Sequence, residues 1–239
     1  MQVRVFENPD ALAEMSAAVI AKWLRQVEGR AATLGLAGGG TPGTTYSRLR
    51  DEDVPWDRVD AWMGDERWVP PDHPYNNGRM ARRILLDHVP ARFHPVPWEA
   101  GSPQAAALSY EETLGEILPR EDGRLRPDVV ILGLGEDGHC ASLFPGSEVL
   151  EVRDRIYVAS HVPRIGRWRL TATLPLLQAA HRIVFIVTGA QKASAVAGTL
   201  EGPEDGSPGR QVLEGPSAVT WFLDRAAAAD LRHTKQEFV

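Results

Sequence analysis

Apolar residues in this chain follow two rhythms, and their alternation outlines the fold. Short, mostly apolar runs fall at residues 3–6, 32–37, 59–63, 129–134, 183–188 and 219–223. Runs this short and this apolar read as strands of a largely buried sheet, and those at 129–134 and 183–188 as buried strands. Between them the period lengthens to that of a helix. Leu12, Met15, Val19, Ile20, Trp23, Leu24 and Val27 share one face, with Asn8 as N-cap, Pro9 at the first helical position and Gly29 as the stop. The same reasoning predicts helices over 43–49, about 76–88, 104–118 and 190–198. The helix at 104–118 is expected to bury Ala107, Leu108, Leu114 and Ile117. Shorter strands are expected near 93–96, 156–159 and 168–173. Strands alternating with helices predict an α/β fold, a mostly parallel sheet covered by helices on both faces. One domain accommodates all 239 residues, with a surface loop at 201–210 and a frayed tail at 232–239.

Chemistry is expected where these strands end. Gly38-Gly39-Gly40-Thr41-Pro42-Gly43 joins a strand to a helix. Consecutive glycines bring backbone N–H groups close to an anion, and the helix N-terminus favours negative charge. The spacing also satisfies the dinucleotide pattern G-x-G-x-x-G, with Asp60 or Asp65 near the acidic position. Against that, Pro42 removes one N–H and the turn follows the second strand; a structural glycine turn is the plainer alternative. Asp65-Glu66-Arg67 follows the next strand, where Asp and Arg bind hydroxyls or a developing oxyanion, or else form a salt-bridged loop. Asp137 and His139 end the strand at 129–134. A carboxylate on one imidazole nitrogen fixes the tautomer and leaves the other free to take a proton from water. A capping histidine in a turn is the alternative there. Arg169 and Lys192 are the candidate cations for an anionic ligand; Lys192 opens a helix, where it opposes the dipole unless a bound anion offsets it.

Composition narrows the partners. A net charge of −6 argues against nucleic acid or an anionic membrane surface. No apolar run approaches the ~18 residues of a membrane span, and the N-terminus lacks a basic-then-apolar leader. The single cysteine, Cys140, excludes an internal disulfide and fits a reducing cytosol, so a cytoplasmic protein is expected. His73, His88, His94, His161, His181 and His233 are scattered without metal-ligand spacing, and no metal or cofactor is expected.

Six motifs, in order, resemble those of the 6-phosphogluconolactonase family. They are Gly38-Gly39-Gly40-Thr41-Pro42, Asp65-Glu66-Arg67-Trp68-Val69-Pro70 with Asn76-Asn77, Gly133-Leu134-Gly135-Glu136-Asp137-Gly138-His139, Ala141-Ser142-Leu143-Phe144-Pro145-Gly146, Arg169 before Thr171-Ala172-Thr173-Leu174-Pro175, and Gly189-Ala190-Gln191-Lys192-Ala193. The resemblance implies a Rossmann-like sheet shared with glucosamine-6-phosphate deaminase and ribose-5-phosphate isomerase. It implies hydrolysis of 6-phospho-D-glucono-1,5-lactone to 6-phospho-D-gluconate in the oxidative pentose phosphate pathway, by a monomer or weak homodimer. It assigns His139, Asp137 and Arg67 to catalysis, and Gly39, Gly40, Thr41, Asp65, Asn77, Arg169 and Lys192 to the sugar-phosphate lactone. The chain departs from the family at Asn76, where Ser is frequent, and at Cys140, where Thr is frequent. In the related deaminases a glutamate lies five residues after the histidine and acts in ring opening; here that residue is Phe144.

Overall fold

Strands whose residues are apolar on both sides form the middle of the main sheet. In chain order its strands are β1 (Gln2–Phe6), β2 (Ala32–Leu36), β3 (Val59–Met63), β5 (Arg92–His94), β8 (Val129–Leu132), β11 (Arg182–Val187), β12 (Ala218–Asp224) and β13 (Glu237–Phe238). A second sheet comprises β4 (Asp65–Arg67), β9 (Tyr157–Val162) and β10 (Arg167–Ala172), and β6 (Arg120–Glu121) with β7 (Arg124–Leu125) makes a small hairpin. The computed structural model describes residues 1–203 and 206–239, without the Arg164 side chain.

The main sheet is wholly parallel, in the order β13-β1-β12-β11-β8-β2-β3-β5. Alternate side chains enter two separate cores, as a strand's period of two requires. Leu34, Leu36, Ala61, Met63, Ile131 and Ile186 pack with helices α1 (Pro9–Arg25) and α2 (Gly40–Leu49). Val130, Leu132, Phe185, Trp221 and Leu223 pack on the other face with α4 (Pro103–Ile117), α5 (Leu174–Ala179) and α6 (Ala193–Glu201). The helices on both faces follow from strands that leave no polar side to solvent. Asn8 caps α1 as expected, its side chain accepting the Ala11 N–H at 3.0 Å. Among the described residues no helix is long and apolar enough to cross a membrane.

Several expectations need correction. Leu108 does not face the core: it is 53% exposed, and α4 buries Ala107 and Leu114 as expected, together with Ala106 and Tyr110. Tyr110 sets that rotation, because its hydroxyl accepts the Met63 N–H and donates to the His94 carbonyl, both at 2.8 Å. The helix at 76–88 is an α-helix only over α3 (Asn77–Ala81) and continues as a π-helical turn, Arg82–Leu86. The tail is not frayed. Glu237 and Phe238 pair with Arg4 and Val5 along the open edge of β1. The Glu201 carboxylate accepts the N–H groups of Arg232, His233 and Thr234. Part of the loop at 201–210 is helical, opening α7 (Pro208–Val212), while Glu204 and Asp205 lie outside the described residues.

The strand order reverses between β2 and β8. From β2 the chain runs outward through β3 to β5; from β8 it runs the other way through β11 to β12. Asp128, buried at the start of β8, locks this junction. It accepts from Arg30 Nη1 and Nη2 at 2.7 and 2.6 Å, and from the Thr33 N–H and hydroxyl at 2.9 Å each. Asp128→Ala leaves the buried Thr33 donors without an acceptor, and we expect a loss of about 2–3 kcal/mol in urea denaturation. A loss under ~0.5 kcal/mol would show that the junction does not depend on this carboxylate.

Candidate active site

Four turns leave the carboxyl ends of β2, β3, β8 and β11, the side on which open α/β sheets bind ligands at a reversal of strand order. Together with β10 they line a cavity of about 260 Å³. Of the residues predicted from the sequence, Gly39, Asp65, Arg67, Asn77, His139, Arg169 and Lys192 line it. Gly40, Thr41 and Asp137 do not. Gly40 begins α2 beside it. The Thr41 hydroxyl lies 2.8 Å from that of Thr188, tying the start of α2 to the end of β11. Asp137 borders an adjoining cavity with Phe144 and holds His139 from behind.

The histidine is fixed by its own turn. His139 Nδ1 lies 2.5 Å from Asp137 Oδ1, and the His139 backbone N–H donates to the same oxygen at 3.2 Å. A neutral ring that donates Nδ1–H to this carboxylate presents Nε2 as an acceptor. The turn closes through the Gly135 N–H to the His139 carbonyl at 2.7 Å. A Cβ on Gly135 would sit 2.0 Å from His139 Nδ1 and 2.6 Å from Asp137 Oδ1, so only glycine permits this pairing. Phe144 packs on the imidazole with ring centroids 4.4 Å apart. Cys140 points into the core, where burial above all pushes its thiol up to about 12, which removes it as a nucleophile near neutrality.

The cations come from two sheets. Register places Arg67 on β4 directly opposite Arg169 on β10. Like charges opposite one another are unfavourable. Burial, and next the Arg67 charge, lower the Arg169 pKa from its ordinary value, although a guanidinium stays protonated. Lys192 completes the group. Its turn is anchored where the Gly189 N–H donates to both oxygens of buried Asp224, at 3.0 and 3.1 Å. Arg67 Nη1 also donates to the Tyr75 carbonyl at 2.9 Å.

Asp65 and Asn77 form the wall between the turns. Asp65 Oδ2 accepts from the Ser142 hydroxyl at 2.6 Å, and Asn77 Nδ2 donates to the Asp65 carbonyl at 3.0 Å. Asn77 lies against the glycine turn so closely that a Cβ on Gly38 would be 1.9 Å from its Oδ1. Glu66, beside them, accepts the N–H groups of Arg67, Asn77 and Gly78 at 2.7–2.8 Å. Burial raises its carboxyl to about 7 despite those bonds. Sequence reasoning gave no role to Glu66, Ser142 or Asp224, because the contacts that tie each to the site come from residues far along the chain, such as Asn77, Asp65 and Gly189. Among the described residues no group of three or more His, Cys, Asp or Glu is placed to hold a metal. The arrangement offers a base at one wall, an anionic acceptor for hydroxyls and three cations, which suits an uncharged reacting centre carried on a dianion.

Known proteins resemble this chain in sequence and fold. The family model described as glucosamine-6-phosphate isomerases/6-phosphogluconolactonase matches residues 7–221. A 6-phosphogluconolactonase of Synechocystis sp. is 39% identical over 207 residues, spanning 84% of this chain and 85% of that one. One of Mycobacterium tuberculosis is 35% identical over 202 residues, spanning 81% and 82%. The solved structure of the Trypanosoma brucei 6-phosphogluconolactonase superposes with a TM-score of 0.87 at 28% identity, covering 97% of this chain and 98% of that one. A monomeric glucosamine-6-phosphate deaminase, 24% identical with a TM-score of 0.80, has the same fold. The chain therefore belongs to the glucosamine-6-phosphate isomerase/6-phosphogluconolactonase family.

Proposed function

We propose that this protein hydrolyses 6-phospho-D-glucono-1,5-lactone to 6-phospho-D-gluconate, with His139 activating the water. The observation that carries the reading is the imidazole held through Nδ1 by Asp137 on the wall of a cavity that also contains Arg67, Arg169 and Lys192. Arg169, Lys192 and the backbone N–H of Gly39 hold the phosphate, and the start of α2 at Gly40 and Thr41, just outside the cavity lining, adds favourable partial charge. Asp65 and Asn77 receive sugar hydroxyls. Neutral His139 takes a proton at Nε2 as the water oxygen bonds to the lactone carbon, and Asp137 stabilises the imidazolium that forms. The carbonyl electron pair moves onto oxygen, facing Arg67. When the tetrahedral species collapses, the ring C–O bond breaks and His139 returns its proton to the departing ring oxygen. A lactone is an electrophilic ester, so the step needs no metal or cofactor. General-base catalysis contributes ~10²–10⁴ in rate and an oxyanion donor ~10²–10³.

A deaminase reading is less well supported. That chemistry uses an acid five residues beyond the histidine; here Phe144 fills the place and packs on the imidazole ring. A phenyl ring cannot transfer a proton.

The deciding assay supplies freshly generated 6-phosphogluconolactone and follows acid release above the spontaneous rate, with glucosamine 6-phosphate in parallel; ammonia release without lactone hydrolysis would reverse the assignment. His139→Ala should lower kcat by about two orders of magnitude or more with little change in KM. Unchanged turnover would remove His139 from the mechanism. Lys192→Ala should instead raise KM and weaken inhibition by 6-phosphogluconate about tenfold or more, whereas unaltered inhibition would place Lys192 away from the phosphate.

A further inference from the structure

Ala141 lies two residues beyond His139, lines the same cavity and has φ 49°. Among the described residues only Asp122 shares this left-handed conformation without being glycine. Asp122 precedes Gly123 at the tip of the β6–β7 hairpin, where such backbone is ordinary turn chemistry. Ala141 has no such excuse, since its methyl disfavours the conformation and offers no side-chain bond in return. Strain of this kind persists only where the surroundings impose it, and it gathers at functional sites.

The backbone N–H groups around Ala141 show what the strain achieves. The Gly138 N–H donates to the Gly135 carbonyl at 3.0 Å, and that of His139 to Asp137. Cys140 and Leu143 pair across an isolated antiparallel bridge, the Leu143 N–H donating to the Cys140 carbonyl at 3.0 Å. The Ser142 N–H donates to Thr171 Oγ1 at 3.2 Å, and its hydroxyl to Asp65. Among the described residues none accepts the Ala141 N–H. The left-handed residue thus turns the chain so that both neighbours are tied into the protein, while Ala141 itself lines the cavity with its N–H unclaimed by any described residue.

We infer that the Ala141 N–H is an oxyanion donor of this site, bonding the lactone carbonyl oxygen as water adds to the carbon. The inference rests on the lactone-hydrolysis reading above. A donor held in place before the reaction loses no reorganisation energy as charge develops on that oxygen. Arg67 is partly committed to the Tyr75 carbonyl, and a neutral N–H supplements it without adding charge beside Arg67, Arg169 and Lys192.

Replacing residue 141 by L-lactate, which exchanges the N–H for an ester oxygen, tests the donor directly. The expected result is a fall in kcat of about 10²-fold with KM within about twofold of the parent and an unchanged circular dichroism spectrum. The ester also weakens the Cys140 carbonyl as an acceptor. The matching hydroxy-acid replacement of Leu143 removes the bond to that carbonyl while keeping the Ala141 N–H, and it should retain most of the kcat. An unchanged kcat in the lactate variant, equal losses in both ester variants, or a rise in KM alone would each overturn the assignment. Absence of lactone hydrolysis by the parent protein would instead sink the underlying reading.

Discussion

β2 and β8 are hydrogen-bonded neighbours whose onward connections run in opposite directions, and the groups of the site hang from that junction. At the amino ends Asp128 ties the two strands together with Arg30 and Thr33. At the carboxyl ends their turns separate and leave a crevice between Gly38–Gly39 and Gly133–Gly135. Parallel pairing requires both turns to emerge on the same side, so the glycine turn and the histidine turn face one another without a dedicated contact to bring them together.

The site's charge runs against that of the whole chain. Three cations line one small cavity in a protein of net charge −6, and two of them stand opposite one another on adjacent strands. Such a grouping has an electrostatic cost, which a bound anion would relieve. Rigid supports keep the cations from relaxing apart. Asp224 fixes the turn bearing Lys192, the Tyr75 carbonyl holds Arg67, and Glu66 clamps the start of α3 to β4. On the reading proposed above, selectivity comes from the other wall, where Phe144 packs on His139 at the position that holds an acid in a ring-opening deaminase.

Two glycines act here through the space they leave. At Gly38 the missing Cβ admits the Asn77 amide, and at Gly135 it admits the paired Asp137 and His139 side chains. Replacement by any other residue would displace a functional side chain directly. The glycine-rich character of these turns therefore serves close packing of the site as much as approach of an anion.

Much of the fold was legible in the chain. Apolar runs such as 129–134 and 183–188 are satisfied by burial on both faces, which favours parallel strands with helices on either side. Asn8-Pro9 sets the start of α1, and six ordered motifs locate the site turns. What the chain could not declare were relations between distant residues. Leu108 has the hydrophobicity of a core residue, yet the hydrogen bonds of Tyr110 rotate it outward. The polar tail carries no apolar period, but the open edge of β1 recruits Glu237 and Phe238. Whether β4, β9 and β10 extend the main sheet or form their own was settled by pairing, and with it the opposition of Arg67 and Arg169. The roles of Glu66, Ser142, Asp224 and the strained backbone at Ala141 likewise belong to tertiary structure. Residue order encodes local propensity and burial, whereas these depend on which groups a folded chain brings within a hydrogen bond's length.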